Sequence, residues 1–389
     1  MATQASATGV VPYNSPLVRK GWVLQGMLQA ASTSFWDGMT GTSADAVIYQ
    51  KNDFAVGEGQ NVIFQMDGNL SSEGHVDQEQ AWGNSEQKRL FSSSLGVRRI
   101  RWSVDNGDKF DDKNVGDLSL AEHTDSRSKL TDLFIRNKDQ FIFDAAQGSL
   151  NSEAPTHVIR PNGRAAVANL VAGDIASYAF MLTVEDVVKS GRGYTVGGSR
   201  RPLEPYKLMD GRKMFLWVIP SRVSRDLRSD SNFIAVAANA DIRGADNKLI
   251  KGVIGTFGVF LVIEAQEFFG ASSSRLIGKT KTEIAGLRKL DSSGHFTGEV
   301  GFGATATNIV ADRSLILGKG AIQIAFGLMP DYKFKSSQDF DIKSESALEV
   351  WMNVQKTILS AEGEDYADAK VAGFDYGVVC VDTYNYTVA

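Results

Sequence analysis

Four histidines are the natural starting point for acid–base or metal chemistry in this chain. His75, His123, His157 and His295 lie in glycine-rich or charged stretches and never pair at ligand spacing. Neither a zinc set nor a histidine general base is therefore predicted. Gly278-Lys279-Thr280 resembles the end of a phosphate loop, but the first glycine such a loop needs falls on Ser273, and no clear strand precedes it. Gly191, Gly193, Gly197 and Gly198 miss the dinucleotide-binding spacing by one residue and follow no strand. Asp105, Asp108, Asp111 and Asp112 have the charge for calcium, yet the loop lacks the central glycine and final glutamate of a helix-loop-helix site. They read as solvated turn charges, as do Glu362, Glu364 and Asp365. The single cysteine, Cys380, sits in the apolar run Val378-Val379-Cys380-Val381 and reads as a buried structural thiol. No enzyme activity, cofactor or metal is expected.

Composition narrows the class further. Lys plus Arg total 41 against 46 Asp plus Glu, a net charge of -5, so no chain-wide basic drive toward nucleic acid or anionic lipid exists. Local basic runs remain at Arg98-Arg99-Ile100-Arg101 and between Arg222 and Arg228. One cysteine provides no disulfide framework and fits a reducing compartment. Residues 1–14 show neither a basic nor an apolar leader region, and the longest apolar run, 253–263, is glycine-interrupted and shorter than a membrane span. At 389 residues the chain exceeds one ordinary core, so two lobes, or one lobe with extensions, are expected.

The elements follow from periodicity. Residues 62–66 read as an outgoing strand. Ile100, Trp102 and Val104 alternate with Arg99, Arg101 and Ser103 as a half-buried strand, read as the returning one. Between them, residues 67–88 offer only Leu70, Val76, Ala81 and Trp82 as apolar side chains. That is too few to fold on themselves, and a structureless insert of this length is uncommon inside a compact domain. An extended hairpin whose tip finds its contacts on another copy of the chain resolves the difficulty.

Ser119-Leu120-Ala121-Glu122 forms a capping box. Leu130, Phe134, Phe141 and Ala145, widened by Leu133 and Ile142, then mark one helix face, and Gly148 ends it. The helix spans 119–147, on the order of 40 Å at 1.5 Å per residue. Asp125 with Lys129 and Asp132 with Arg136 are assigned to its wet side as i,i+4 pairs. Further on, residues 183–188 read as a short capped helix, Asp210-Gly211 as a hairpin turn, and 214–219 as a strand covered on both faces. Pro220-Ser221 opens a helix. Residues 258–264, 315–318, 321–326 and 376–383 read as strands, and 347–359 as a helix. Strands interspersed with helices but lacking a regular βαβ rhythm indicate an α+β fold. Residues 1–15 read as a flexible arm. Residues 17–36, with Trp22, Phe35 and Trp36, fit a docking segment or a short helix on the home core.

This order of elements resembles the Hong Kong 97-type fold of tailed-phage major capsid proteins. Phe35-Trp36-Asp37-Gly38-Met39, then Ser43-Ala44-Asp45-Ala46-Val47-Ile48 and Gly57-Glu58-Gly59-Gln60-Asn61-Val62-Ile63-Phe64, is similar to the opening of the branch typified by the N-four-like podophages. Residues 207–228 and 374–383 are similar to it as well. The resemblance implies an N-terminal arm (1–52), an extended hairpin loop (53–104) and a peripheral domain with a spine helix (105–150 and 336–389). It also implies an axial domain (151–335), with a probable insertion at 270–308.

It further implies a self-assembling subunit forming hexamers and pentamers of an icosahedral head around packaged double-stranded DNA, built in the host cytoplasm. The arm is too short to contain a built-in scaffold segment, so the implied partners are a separate scaffolding protein, a portal protein and a decoration protein. On this reading the subunit contacts are Leu70, Val76 and Trp82 at the hairpin tip, with Trp82 the anchor, and Trp22, Phe35 and Trp36 in the arm. The rival readings are a tail or decoration protein, which would lack the long helix after the hairpin, and a hydrolase built from scattered residues.

Overall fold

The computed structural model describes residues 34–43, 46–52, 61–67, 75–77, 80, 82–85, 90–108, 122–147, 155–192, 203–209, 212–233, 253–265, 309–338, 343–358, 360–361 and 374–387. Trp22, Leu70, the first three residues of the capping box, Gly148, Asp210-Gly211 and the segment 270–308 lie outside them.

A five-stranded sheet and a larger mixed sheet share one long helix. The first sheet runs β1 (Thr40–Gly41), β2 (Ile48–Asn52), β12 (Ile322–Gln338), β13 (Lys343–Lys356), β5 (Arg98–Asp108). Helix α1, Glu122–Gln147, packs on it. Leu130, Ile142, Phe143, Ala145 and Ala146 are buried, and Phe134 meets Trp102 of β5 edge-on at 5.8 Å between ring centroids. The helix is 26 residues, about 39 Å, long. Its wet face is narrower than the periodicity predicts: Asp132 is buried.

The second sheet has the order β6 (Val158–Ile159), β15 (Val378–Thr387), β11 (Ile309–Leu317), β8 (Arg212–Pro220), β10 (Phe260–Ala265), β9 (Val253–Phe257), with β7 (Lys207–Met209) on β8. Its central strands are apolar on both sides because both sides are covered. Leu216 and Val218, Leu315 and Leu317, and Val378 and Cys380 turn toward the core that contains α1. Phe215, Trp217 and Ile219, Ile316, and Val379 and Val381 turn to a second core. That core is closed by α2 (Tyr178–Ser190) and α3 (Ser221–Ser229). Ser177 caps α2 by accepting from the Phe180 N–H, and Gly191 ends it at φ 66°, a left-handed conformation suited to glycine. The short helix expected at 183–188 is thus the C-terminal half of a longer one.

Two expectations change. Residues 347–359 are not helical: 343–356 form β13, bonded to β12 on one side and β5 on the other. Leu348, Val350, Met352 and Val354 point to the core and alternate with Glu349, Trp351 and Asn353, and two complete ladders outweigh helix propensity. The returning strand of the hairpin is β4 (Leu90–Gly96), which pairs with β3 (Asn61–Asp67); β5 instead joins β13. The two sheets interleave along the chain. β15 belongs to the second sheet with β11 and β6, whereas β12 belongs to the first. Residues 378–387 thus pair within the larger sheet, and 322–338 within the five-stranded one.

Besides the shared core, close contacts around Asp375 and Gly377 join the two sheets. Lys356 Nζ meets Asp375 Oδ1 at 2.7 Å with both side chains fully buried, and Asp375 Oδ2 accepts from the Thr156 N–H at 2.8 Å. At Gly377 the chain passes so close to the Ala321 backbone that a Cβ would lie 2.6 Å from its Cα. Only glycine fits there.

Candidate assembly surface

The ribbon of β3 and β4, extended by β14 (Ser360–Ala361), is anchored at its root and open at its tip. At the root Val62, Phe64 and Leu95 bury against Ala325, and Tyr49 of β2 meets Phe64 edge-on at 5.1 Å. Polar bonds fix the same junction. Ser93 donates to Gln323 Oε1 at 2.9 Å, Asn353 Nδ2 to the Gly96 carbonyl at 2.7 Å, and Lys51 Nζ to the Ile63 carbonyl at 2.8 Å. The other face is bare: Ile63 is 51% exposed. At the tip Val76 is 65% and Trp82 87% exposed. A tryptophan that open is a poor use of its area unless another molecule covers it.

The arm residues behave differently. Trp36 is 0% exposed and lies within its own subunit's core, 4.7 Å from Phe143 and 4.9 Å from Phe35 between ring centroids. Asp139 of α1 holds this stretch, accepting from Ser34 Oγ at 2.5 Å and from the Phe35 N–H at 2.7 Å, while Lys138 reaches Asp37 at 2.6 Å. Burial pushes the Asp139 carboxyl up to about 6, against the pull of those hydrogen bonds. Phe35 and Trp36 are therefore corrected from neighbour contacts to home-core residues. Of the two readings of 17–36, its last two residues take the home-core one.

On the outer face of the first sheet, Glu349 receives Arg99 Nε at 2.5 Å, Lys333 Nζ at 2.6 Å and Trp351 Nε1 at 3.2 Å. These bonds, that of Arg99 foremost, hold its carboxyl down at about 2. Because the folded value is depressed from the ordinary 4.5, the cluster stabilises the sheet fully above pH 4.5 and loses its effect as pH falls toward 2. Thermal unfolding followed from pH 5 to 2 should therefore show a downward slope that Glu349→Gln flattens. An unchanged slope in the variant would remove the cluster from the acid response.

Of the residues flagged for chemistry, those that the structure describes do not converge. His75 is exposed near the tip, whereas His157 is buried beside the Phe374 ring. Cys380 is fully buried, its thiol pushed up to about 12 by burial, and its Sγ lies 3.8 Å from the Ala146 carbonyl. Among the described residues, no three His, Cys, Asp or Glu side chains are grouped to hold a metal ion. Nor is any described helix long and apolar enough to cross a membrane.

The phage capsid protein family matches residues 10–387. The chain belongs to that family. Comparison with curated proteins finds no match. Among solved structures this capsid protein is similar to the capsid of Ralstonia phage GP4 (18% identity, TM-score 0.66, covering 93% of this chain and 95% of that one). It is also similar to the capsid of Helicobacter pylori bacteriophage KHP30 (14%, TM-score 0.65, 99% and 100%) and to that of cyanophage Pam1 (12%, TM-score 0.62, 92% and 93%). The capsid protein thus has the Hong Kong 97-type fold, with α1 as its long helix and the ribbon as its extended loop.

Proposed function

We propose that this chain is the major shell-building subunit of a tailed-phage head, assembling as hexamers and pentamers into an icosahedral container for double-stranded DNA. The observation that carries this reading is the ribbon of a capsid-family fold, whose root is fixed to its own body while Trp82 and Val76 stand in solvent. Closed rings need one surface of each copy to meet a different surface of the next, and an outstretched ribbon provides such an arrangement. Leu70 and Trp22 are proposed as further neighbour contacts, the first in the tip and the second in the arm. A separate scaffolding protein, a portal protein and a decoration protein are the proposed partners, with assembly in the bacterial cytoplasm. Kinship with the N-four-like branch rests on the sequence strings quoted above. A mild net charge of -5 suits a lining that must release DNA, since many Lys and Arg contacts to phosphate would grip it.

Negative-stain microscopy of the purified protein tests the reading: shells or five- and six-membered rings support it, and a population solely of monomers contradicts it. Trp82→Ala should lower particle yield and particle melting temperature. The dissociated subunit should stay within about 0.5 kcal/mol of wild type, as expected for an exposed site. Normal yield and particle stability would remove Trp82 as an anchor.

A further inference from the structure

The basic run Arg98-Arg99-Ile100-Arg101 is not an isolated patch, because it opens β5 and the second half of the same strand carries Asp105 and Asp108. Opposite charge therefore sits at the two ends. The place of the strand in its sheet makes that polarity matter. In the order β1-β2-β12-β13-β5 it comes last, and among the described strands it pairs with β13 alone. Its outer edge thus presents backbone donors and acceptors that no described strand takes up, along eleven residues. Such an edge is a template for another strand.

The residues around Ser103 select which strand fits. Arg101, Ser103 and Asp105 are exposed, and Trp102 and Val104 alternate with them as half-buried positions, Trp102 against Phe134 of α1. The ladder to β13 stays in register from Arg98 to Asp105 and shifts only beyond it, so these five positions form one uninterrupted stretch. Turned antiparallel about Ser103, a second β5 sets Arg101 opposite Asp105 and Trp102 opposite Val104, each pair twice. Opposite charges, and an aromatic with a β-branched side chain, are both favourable cross-strand pairs. Parallel in-register alignment would instead set Arg101 against Arg101 and Asp105 against Asp105, which like-charge repulsion disfavours. Arg99 stays with Glu349 of its own sheet.

We infer that β5 is a docking edge for the β5 of a second copy, antiparallel across a two-fold axis centred on Ser103, joining subunits of adjacent rings. A surface that pairs with itself closes at two members, so this contact complements the head-to-tail contacts within a ring. It rests on the reading of the chain as a shell-building subunit.

The test uses the assembled full chain carrying Ser103→Cys, oxidised with copper–phenanthroline and run on a non-reducing denaturing gel. Facing residues of an antiparallel pair lie about 4.5–5.5 Å apart at Cα, within disulfide reach. A covalent dimer is expected. The unmodified chain should give none, since Cys380 is buried, and neither should Lys335→Cys, exposed elsewhere on the first sheet. Shells whose subunits stay monomeric after oxidation, or an equal dimer yield from Lys335→Cys, overturn the β5 pairing while leaving the capsid reading intact. Failure of the unmodified chain to form any shell overturns both. As a second arm, Arg101→Asp or Asp105→Arg alone should lower the dimer yield at least tenfold in the Ser103→Cys background, and the two together should restore it. Shell yield in the chain without the added cysteine should follow the same order. Equal yields across these variants would overturn the charge register.

Discussion

Asp382→Ala is expected to destabilise the dissociated subunit by about 3–5 kcal/mol, the range seen when one partner of a buried ion pair is removed. Asp382 is fully buried on β15 and carries two arginines. Arg313 of β11 donates Nε to Oδ1 at 2.6 Å and Nη2 to Oδ2 at 2.9 Å, and Arg160 donates Nε to Oδ2 at 3.0 Å. Burial works against the Arg313 charge, but Asp382 more than offsets it and raises its pKa above the usual guanidinium value.

The same guanidinium donates Nη1 to the Gln147 carbonyl at 3.2 Å, at the last residue of α1. The last turn of α1 contains no basic residue, so a neighbouring strand supplies the cation that its carbonyl end favours. Removing the carboxylate leaves two guanidiniums facing each other out of water and loosens that helix end. Urea unfolding at neutral pH measures the effect. Arg160→Ala should cost less, because the bidentate Arg313 pair survives it. A loss below about 1 kcal/mol for Asp382→Ala would contradict the network's role.

Trp36→Ala is the second large expectation, at about 3–5 kcal/mol, from lost burial and the cavity left among Phe35, Phe143 and the first sheet. Its Nε1 is buried without a hydrogen-bond partner among the described residues. Trp36→Phe therefore loses volume but no bond, and should cost less than half as much. The comparison separates the home-core role from an assembly role: denaturant unfolding of the dissociated subunit should register the full effect. A variant with unchanged subunit stability and impaired assembly would return Trp36 to a neighbour contact.

Legibility in the sequence followed the range of the forces involved. The run Met214 to Ile219 was readable as a doubly covered strand because burial on both faces leaves every position apolar. α1 was readable because its core stripe repeats over about four turns, from Leu130 to Ala145. By contrast, alternation in β5 identified a strand but not its partner, and the nearer candidate in sequence was assumed when Lys343–Lys356 is the actual one. β4 was passed over because Ser92, Ser93 and Ser94 mask its alternation. Ser93 is buried where Gln323, far along the chain, accepts a hydrogen bond from its hydroxyl and Gln355 donates one to it.

β13 shows the converse failure, since Ala347, Leu348, Glu349, Met352 and Gln355 favour a helix locally while two neighbouring strands impose extension. Arg313 and Asp382 stand 69 residues apart, so nothing local announces their pairing. The tip was more legible than the root: too few apolar residues to fold alone is a statement about composition, and Trp82 stands in solvent as that implies.

Hydrogen exchange on assembled particles and on dissociated subunits tests the central claim most directly. Slowed exchange in peptides spanning Trp82 upon assembly, with the β3–β4 root around Phe64 and Leu95 protected in both states, is the predicted result. Equal exchange at the tip in particles and free subunits would contradict the account.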